Sequence, residues 1–258
     1  MPLESNRSME TTSLNRSFLG LPVVYESAHE LAVIKPPGMA TELTSDPNGV
    51  SLISRVRSAL PAGVTVKLPH RLDRVTRGIV IVALSEDAIR FHNEQLREGA
   101  WEKLYLARLS GPRPGSADAS IGVHKLHLRT RIGRAEVVRS GGKRAITEIL
   151  AVAPAPDRAD ELHALLRLHT GRYHQIRATM AHLGTPLVDD WLYGPEPSRD
   201  GGRFYLEHVA LRFTPFEATC PVAIHRRKDP DRDEIATALR ERLDRILEEW
   251  EAVDAEER

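Results

Sequence analysis

The sequence has little cysteine and no long hydrophobic run. Cys220 is the only cysteine, so no disulfide can form within the chain, which indicates a reducing compartment. No apolar stretch approaches the roughly 18 residues of a membrane-spanning helix, and the first residues lack the apolar core of a signal peptide. We therefore expect a cytoplasmic protein with no membrane partner. We interpret Cys220 as a small buried residue rather than a nucleophile.

Signatures of metal and nucleotide sites are also missing. Histidines scattered along the chain raise the alternative of a metal-dependent hydrolase, but their spacings match no HExxH-type signature. These histidines are His124, His127, His163, His169, His174 and His182. The segment SGGKR at residues 140–144 lacks the first glycine and the spacing of a nucleotide-binding loop. We expect neither a metal nor a nucleotide cofactor.

The chain has no net charge, but its charges are unevenly distributed. Residues 229–258 contain 12 acidic and 5 basic side chains, which leaves 31 basic and 24 acidic side chains in the rest. A basic body with an acidic tail suits a polyanionic partner. Basic residues are densest at residues 125–144, with seven Lys or Arg and one acid. This segment is either a site of phosphate contacts or a solvated basic hairpin.

Hydrophobic patterning predicts short strands and few helices. The apolar, β-branched run at residues 78–84 is typical of a strand buried on both faces. Helices are predicted at residues 85–99, between a Ser85 cap and a glycine, and at residues 170–184. The C-terminal residues 229–258 predict an acidic amphipathic helix, capped by Asp229 with Pro230 in its first turn. The irregular mixture indicates an α+β fold rather than a doubly wound one.

The stretch PHRLDRVTRG, at residues 69–78, places Asp73 among basic residues directly before a predicted strand. A carboxylate at such a junction is held on a rigid element. We expect Arg71, Arg74 and Arg77 to keep it ionised and to attract phosphate groups. Taken by composition alone, a surface loop in which Asp73 pairs with a neighbouring arginine is the simpler explanation.

A second polar stretch, LHTGRYHQIR at residues 168–177, leads into the predicted helix at residues 170–184. Polar side chains crowd the first turns of that helix, where free backbone amides attract anions. Taken alone, the stretch is equally compatible with a solvated helix start.

Together these segments resemble the RluA-type family of pseudouridine synthases, which modify ribosomal and transfer RNA. HRLDRVTRG resembles the family's HRLD-x-x-TSG motif, and residues 169–194 resemble its TGR-x-HQIR motif and the GD-x-x-YG sequence that follows. KLYLARLSG and VVYESAHELAVIKPPGM are similar to two further segments of the family. Because these matches occur in the family's order over residues 22–225, they are far more specific than any one short motif.

The resemblance implies a fold, a domain organisation and an activity. The fold would be the pseudouridine synthase catalytic fold, a mixed, mostly antiparallel central sheet flanked by helices and loops. We expect residues 21–228 to form this domain, after a flexible leader (1–20) too short for an S4-type RNA-binding domain and before a C-terminal helix (229–258). The chain would act as a monomer on structured RNA, ribosomal or transfer, and isomerise a specific uridine to pseudouridine without a cofactor.

The resemblance also assigns roles to individual residues. Asp73 matches the catalytic aspartate, Tyr105 the tyrosine that stacks on the target base, and Arg177 the arginine that pairs with the aspartate. Arg71 matches a residue that fills the space left by the flipped uridine. Further candidates for RNA contacts are Arg74, Arg172, His174, Gln175, Lys35, Arg129, Arg131 and Arg134.

Four positions depart from the family's pattern. Arg77 replaces a serine, Thr179 a histidine and Asp189 a glycine, and Glu42 stands where histidine is frequent. None is a predicted catalytic residue, so we expect activity, but the departures leave the RNA target open. A catalytically inactive RNA-binding paralogue remains the alternative. The sequence leaves open whether Asp73 attacks the sugar, attacks the uracil ring or removes the C2′ proton.

Overall fold

The computed structural model describes residues 20–44, 49–111, 121–194, 204–226 and 235–256, which form one mixed sheet with four helices. The strands are β1 (Val23–Glu26), β2 (Glu30–Lys35), β3 (Arg77–Ala83), β4 (Glu102–Ser110), β5 (Gly122–Arg131), β6 (Arg134–Val137), β7 (Lys143–Ala155), β8 (Arg158–Leu168), β9 (Leu206–Phe213) and β10 (Val222–His225). The helices are α1 (Leu52–Ala59), α2 (Glu86–Glu98), α3 (Gln175–His182) and α4 (Thr237–Glu256). The α+β prediction is confirmed.

The strands follow the order β1-β2-β3-β9-β4-β8-β7-β5-β6, with β10 paired to β9. Among the described strands every pairing is antiparallel except that of β3 with β9. This parallel contact places Gly78, at the start of β3, opposite His208. Gly78 has a φ of 119°, and a Cβ atom there would lie 2.3 Å from the His208 carbonyl oxygen. Only glycine allows the two strands to approach this closely.

The central strand β4 is buried on both faces, and its alternating residues belong to two different cores. Leu104 and Leu106 pack with the C-terminal helix α4, whereas Tyr105, Ala107 and Leu109 pack into the core on the opposite face. This division follows from the two-residue repeat of a strand. One face of the sheet is therefore covered by α4, and the opposite face carries the polar segments at residues 69–78 and 168–177.

Helix α4 packs on the sheet through one apolar stripe of its sequence. Leu239, Leu243, Leu247 and Trp250 are all buried, and they pack with Leu104 and other residues of the sheet. Burial of each large apolar side chain contributes about 1.5 to 3 kcal/mol, which is enough to hold an acidic helix on the sheet. Its glutamates at positions 248, 249 and 251 are exposed.

Several sequence predictions fall outside the described residues. They are the Asp229 cap, Pro230 in the first turn of the C-terminal helix and nearly all of the leader at residues 1–20. Within the described ranges, no helix is both long and apolar enough to cross a membrane.

Helix α2 has the limits that its sequence predicts. The Ser85 hydroxyl accepts a hydrogen bond from the Ala88 amide at 3.1 Å, and Gly99 ends the helix in the left-handed conformation. Both ends are specified locally, by a side chain that caps the first turn and by a residue without a Cβ.

Helix α3 begins at Gln175, five residues later than predicted. The Thr170 hydroxyl accepts from the Ile146 amide and donates to Gln175 Oε1, both at 2.8 Å. The Arg172 amide donates to the same Gln175 oxygen at 3.0 Å. These bonds hold residues 170–174 as a compact turn instead of a first helical turn, and His174 adopts a φ of 51°. The predicted anion site at the start of this helix therefore does not form as expected.

Candidate active site

A cleft of about 820 Å³ opens on the face of β4 that carries Tyr105. It is bordered by the loop before β3, by β4, by the turn between β8 and α3, and by the C-terminal end of α2. The cleft brings together the three predicted catalytic residues, Asp73, Tyr105 and Arg177. They come from segments far apart in the chain, so their convergence is a property of the fold.

The backbone on both sides of Asp73 is fixed by buried side chains. The Thr41 hydroxyl donates to the Leu72 carbonyl oxygen at 2.6 Å and accepts from the Leu72 amide at 3.2 Å. On the other side, the Arg74 carbonyl oxygen accepts from the Gly38 amide at 2.8 Å and from Lys35 Nζ at 3.3 Å. The Asp73 carboxylate is thus presented by a rigid turn.

Arg177 and His174 lie next to the carboxylate of Asp73. Arg177 Nη1 is 3.6 Å from Asp73 Oδ2, and His174 Nε2 is 3.9 Å from Oδ1. The Asp73 side chain remains 19% exposed, towards the cleft, whereas Arg177 is 4% exposed. Arg177 is therefore a buried positive charge beside the Asp73 carboxylate that does not form a short ion pair with it.

The short ion pair of Arg177 is made with Asp190, a partner that the sequence does not reveal. Arg177 Nε and Nη2 donate to the two carboxylate oxygens of Asp190 at 2.8 and 2.7 Å. Asp190 is fully buried. A bidentate ion pair of this kind fixes the plane of the guanidinium group. Nη1, the nitrogen nearest Asp73, lies 3.2 Å from His174 Nε2.

The pKa of Asp73 is raised above its usual value, chiefly because burial penalises its charged form, while Arg177 and Arg71 counteract this rise. Of the three arginines that flank Asp73 in sequence, only Arg71 counteracts the rise of its pKa. The expectation that these arginines keep Asp73 ionised is therefore wrong for Arg74 and Arg77. Arg74 Nε donates to the Gly38 carbonyl oxygen at 2.9 Å. The Arg77 guanidinium lies 3.5 Å from the buried Glu207 carboxylate. The substitution of Arg77 for serine is thereby explained by a partner outside the cleft.

Tyr105 forms a wall of the cleft together with His208, a residue that the sequence does not single out. Their rings stack with centroids 4.6 Å apart and an interplanar angle of 14°. His208 Nδ1 donates to the Ile79 carbonyl oxygen at 2.7 Å, and burial lowers the pKa of His208 to about 3. The imidazole is therefore neutral. Burial and the nearby Asp73 charge raise the pKa of the Tyr105 phenol, which stays protonated at neutral pH.

The predicted RNA contacts that line the cleft include Arg71, Arg172 and His174. Arg71 is exposed, forms an ion pair with Glu42 and lies over the Tyr173 ring, 5.5 Å from its centroid. His174 is almost fully buried, and burial lowers its pKa to about 4. These predicted contacts therefore contribute two exposed cations, Arg71 and Arg172, and a neutral imidazole beside Asp73.

Two predicted RNA contacts have polar groups that are engaged inside the protein. Lys35 is fully buried, and its Nζ donates to the carbonyl oxygens of Pro36 and Met39 at 2.9 and 2.8 Å. Gln175 is 3% exposed, and its amide nitrogen donates to the Ile146 carbonyl oxygen at 3.0 Å. Both residues stabilise segments around the cleft, and of the two only Gln175 also lines it.

The basic segment at residues 125–144 forms the antiparallel hairpin of β5 and β6 and the start of β7. Its predicted RNA contacts, Arg129, Arg131 and Arg134, are all exposed. The Tyr173 hydroxyl, at the cleft, donates to the carbonyl oxygen of Gly133 in the hairpin turn at 3.1 Å. The hairpin therefore extends the basic surface outward from the cleft, although its arginines do not line the cleft itself.

The histidines that prompted the metal hypothesis do not converge. Among the described residues, no group of three His, Cys, Asp or Glu side chains is arranged to hold a metal ion. His163 lies instead between the Ala236 amide and Arg108, at 3.1 Å from each.

Comparison with known proteins agrees with this geometry. Residues 29–182 match the family model for RNA pseudouridylate synthases. The chain is 30% identical over 220 residues to an uncharacterized RNA pseudouridine synthase of Bacillus subtilis, YhcT, covering 83% of this chain and 68% of the relative. It is 31% identical over 196 residues to the dual-specificity RNA pseudouridine synthase RluA of Escherichia coli K12, covering 75% and 87% of the two chains.

The solved structure of human RNA pseudouridylate synthase domain containing 1 superimposes with a TM-score of 0.64 at 26% identity, covering 81% of this chain and 84% of the human one. A second human structure, RNA pseudouridylate synthase domain containing 4, has the same fold, with a TM-score of 0.60 at 17% identity. Sequence motifs, fold and family match agree: the chain belongs to the RluA-type family of RNA pseudouridine synthases and is an isomerase that acts on RNA.

Proposed function

We propose that this enzyme converts a specific uridine in structured ribosomal or transfer RNA to pseudouridine, with Asp73 as the reacting group. The observation that carries the proposal is the placement of one partly exposed carboxylate at the base of a cleft, 3.6 Å from a buried arginine. We further propose that the enzyme acts as a monomer in the cytoplasm.

The reaction is an isomerisation, so no atom is gained or lost. The N1–C1′ bond of uridine breaks, the uracil turns, and a new bond forms between C5 and C1′. The proton released from C5 is balanced by the proton that N1 gains. No oxidant, reductant or energy source is required, and acid–base groups with a positioned carboxylate are sufficient.

A uridine in an RNA helix must leave its stack before Asp73 can reach it. Tyr105 would receive the flipped uracil, since its ring is already held against His208 and needs no rearrangement to stack. Arg71 is exposed at the cleft and has a long side chain, so it would leave its surface partner Glu42 and fill the gap that the base leaves. This assignment separates the residue that holds the flipped base from the residue that replaces it.

Arg177 would act on the carboxylate and not on the base. Its guanidinium plane is fixed by Asp190, and one nitrogen, Nη1, remains directed at Asp73. Burial favours the neutral carboxylic acid, whereas Arg177 favours the carboxylate. Arg177 thus counteracts the effect of burial on a poorly solvated carboxylate, and a poorly solvated carboxylate is more reactive than one in water.

Beyond the cleft, phosphate contacts would come from Arg71, Arg74, Arg172 and the exposed arginines of the β5–β6 hairpin. The same hairpin is held next to the cleft by the hydrogen bond from the Tyr173 hydroxyl to the Gly133 carbonyl oxygen. An RNA stem whose loop enters the cleft would therefore lie against the hairpin. Such contacts bind phosphate groups irrespective of sequence, so they position the RNA and do not select the base.

The proposal is tested by mapping pseudouridine in unmodified ribosomal and transfer RNA transcripts after incubation with the purified enzyme. We expect new pseudouridine at one or a few defined positions in one of these RNAs. Binding without any new pseudouridine would favour the inactive paralogue, and neither binding nor product would refute the proposed substrate class.

A further inference from the structure

Lys103 is a charged residue of the cleft to which the proposed mechanism gives no role. It lies on β4 two residues before Tyr105, and successive side chains of a strand alternate between faces, so Lys103 and Tyr105 are on the same face. Both residues line the cleft. Lys103 is only 8% exposed. Its amine is therefore held close to the wall that would receive the uracil.

The amine of Lys103 has no partner among the described residues, which is unusual for a buried lysine. No hydrogen bond or ion pair within the described ranges reaches its Nζ. Lys35 shows the contrast, since its buried amine donates to three carbonyl oxygens. Burying an ammonium group without a partner is costly. Lys103 Nζ is not among the fully enclosed unpaired nitrogen atoms of the described residues, so it can be reached from the cleft by a ligand that supplies the acceptor.

The groups around Lys103 define the charge of that ligand. Arg172 is close enough to depress the ionisation of Lys103 by its own positive charge. His70 and His208, whose pKa values are both lowered by burial and by Lys103, are neutral. Other charged groups that line the same cleft are Arg97 and Glu98, exposed at the end of α2, and, around the other side of the cleft, Asp73, Arg71, Arg177 and Glu42. Two cations face the cleft here, and an anion between them would stabilise both.

We propose that Lys103 and Arg172 form the binding site for an RNA backbone phosphate adjacent to the flipped uridine. This inference rests on the proposed function, because the phosphate is that of the RNA substrate. The site lies on the strand that carries Tyr105, so a phosphate bound there would fix the sugar of the flipped nucleotide relative to the stacking wall. Lys103 would thus bind the RNA backbone without touching the reacting atoms.

The ionisation of Lys103 provides a signature for this site. Burial and the charge of Arg172 lower its pKa to about 8. A bound phosphate favours the ammonium form and raises the pKa of Lys103 in the complex. The free enzyme therefore loses the binding-competent proton as pH rises through 8, so RNA affinity should fall about tenfold between pH 7 and pH 9 through this group.

The test measures binding of a labelled stem-loop RNA with uridines in its loop, between pH 7 and pH 9. All proteins carry Asp73→Asn so that no product forms during the measurement. Lys103→Met removes the charge, and Lys103→Arg retains a charge that does not titrate in this range. Lys35, whose pKa is also lowered to about 8, is present in every variant and contributes equally to each.

At pH 7, Lys103→Met should bind the RNA about tenfold more weakly, as expected for the loss of one charge-assisted hydrogen bond. It should also lose the decline of affinity towards pH 9. Lys103→Arg should restore binding at pH 7 and hold it at pH 9. Arg172→Met should weaken binding and keep a decline of affinity with pH, because Lys103 is retained. That decline should move to higher pH, since the charge of Arg172 lowers the pKa of Lys103.

Two results would overturn the inference: unchanged affinity in Lys103→Met, or weakened affinity that keeps the parental pH profile and is not rescued by arginine. The second result would assign Lys103 a purely structural role. Pseudouridine formation by the enzyme with Asp73 intact is measured separately at pH 7. If that enzyme makes no product, the proposed function fails, whereas the pH profiles of binding still decide the role of Lys103.

Discussion

Removing the charge of Asp190 tests the buried network behind Asp73, the proposed reacting group. In Asp190→Asn, the Arg177 guanidinium loses a fully buried ionic partner at 2.7 and 2.8 Å and retains only Asp73, at 3.6 Å. Leaving a buried charge without its partner costs about 3 to 5 kcal/mol. Asparagine keeps one acceptor oxygen, so we expect the lower end of that range, which corresponds to a decrease in Tm of roughly 6 to 12 °C.

The same substitution should move the pH dependence of catalysis. The Asp190 charge is one of the causes that raise the pKa of Asp73. Its removal, together with a closer approach of Arg177, lowers the pKa of Asp73, so the acid limb of the pH–rate profile should shift to lower pH. Asp189→Asn is the matched control, because it makes the same chemical change at the neighbouring position, where asparagine tolerates the φ of 54°.

The assay combines thermal unfolding with initial rates of pseudouridine formation between pH 4 and pH 8, for both variants and the wild type. If Asp190→Asn unfolds at the wild-type temperature and keeps the wild-type acid limb, Asp190 does not control Arg177 and Asp73 as the geometry indicates. A loss of stability that is equally large in Asp189→Asn would also refute the reasoning.

Three further predictions concern the base-binding wall, acid stability and the RNA surface. Tyr105→Phe should retain the stacking ring and most of the activity, whereas Tyr105→Leu should lower kcat about 10- to 100-fold, the loss expected for one stacked base. Equal decreases of kcat in both variants would show that the hydroxyl of Tyr105, and not its ring, is required. Burial lowers the pKa values of His174 and His208 to about 4 and 3. Because the unfolded chain binds more protons than the folded one below pH 6.5, the free energy of unfolding from urea titrations should fall as pH decreases from 6.5 to 4. A free energy of unfolding that does not change over this range would contradict the burial of these histidines. Neutralising four arginines of the basic segment together should reduce the slope of log Kd against log salt by roughly 0.7 to 0.9 for each phosphate that the protein no longer neutralises, and an unchanged slope would remove that segment from the interface. These arginines are Arg129, Arg131, Arg134 and Arg139.

The elements best predicted from sequence are those specified by adjacent residues. Ser85 and Gly99 define both ends of α2 by local chemistry. The continuous apolar run of β3 predicts a strand buried on both faces, and six of its seven residues are buried. In contrast, the sequence predicts that α3 begins at Thr170, because a threonine before a periodic stretch is typical of a cap. The Thr170 hydroxyl instead bonds to the Ile146 amide of β7, a contact that local sequence does not reveal.

The candidate site shows the same division between local and distant information. Asp73 and Tyr105 are identified from motifs, but the partners that tune them are remote in sequence. His208 is placed beneath Tyr105 by the register of β4 and β9, and Asp190 reaches Arg177 only because the chain turns back after α3. Lys35 is one of the RNA contacts predicted from sequence, yet it is fully buried. The three carbonyl oxygens that hold its amine are brought together by tertiary structure.

The most direct test of the central role of Asp73 is pseudouridine formation by Asp73→Asn, measured on a defined RNA that the wild-type enzyme modifies. Asparagine has nearly the same shape but can neither act as a nucleophile nor accept a proton as a carboxylate does. We predict that the variant forms no detectable pseudouridine while it binds the RNA within a few-fold of the wild-type affinity. Product formation by purified Asp73→Asn at a rate near that of the wild type would contradict the essential role of this carboxylate.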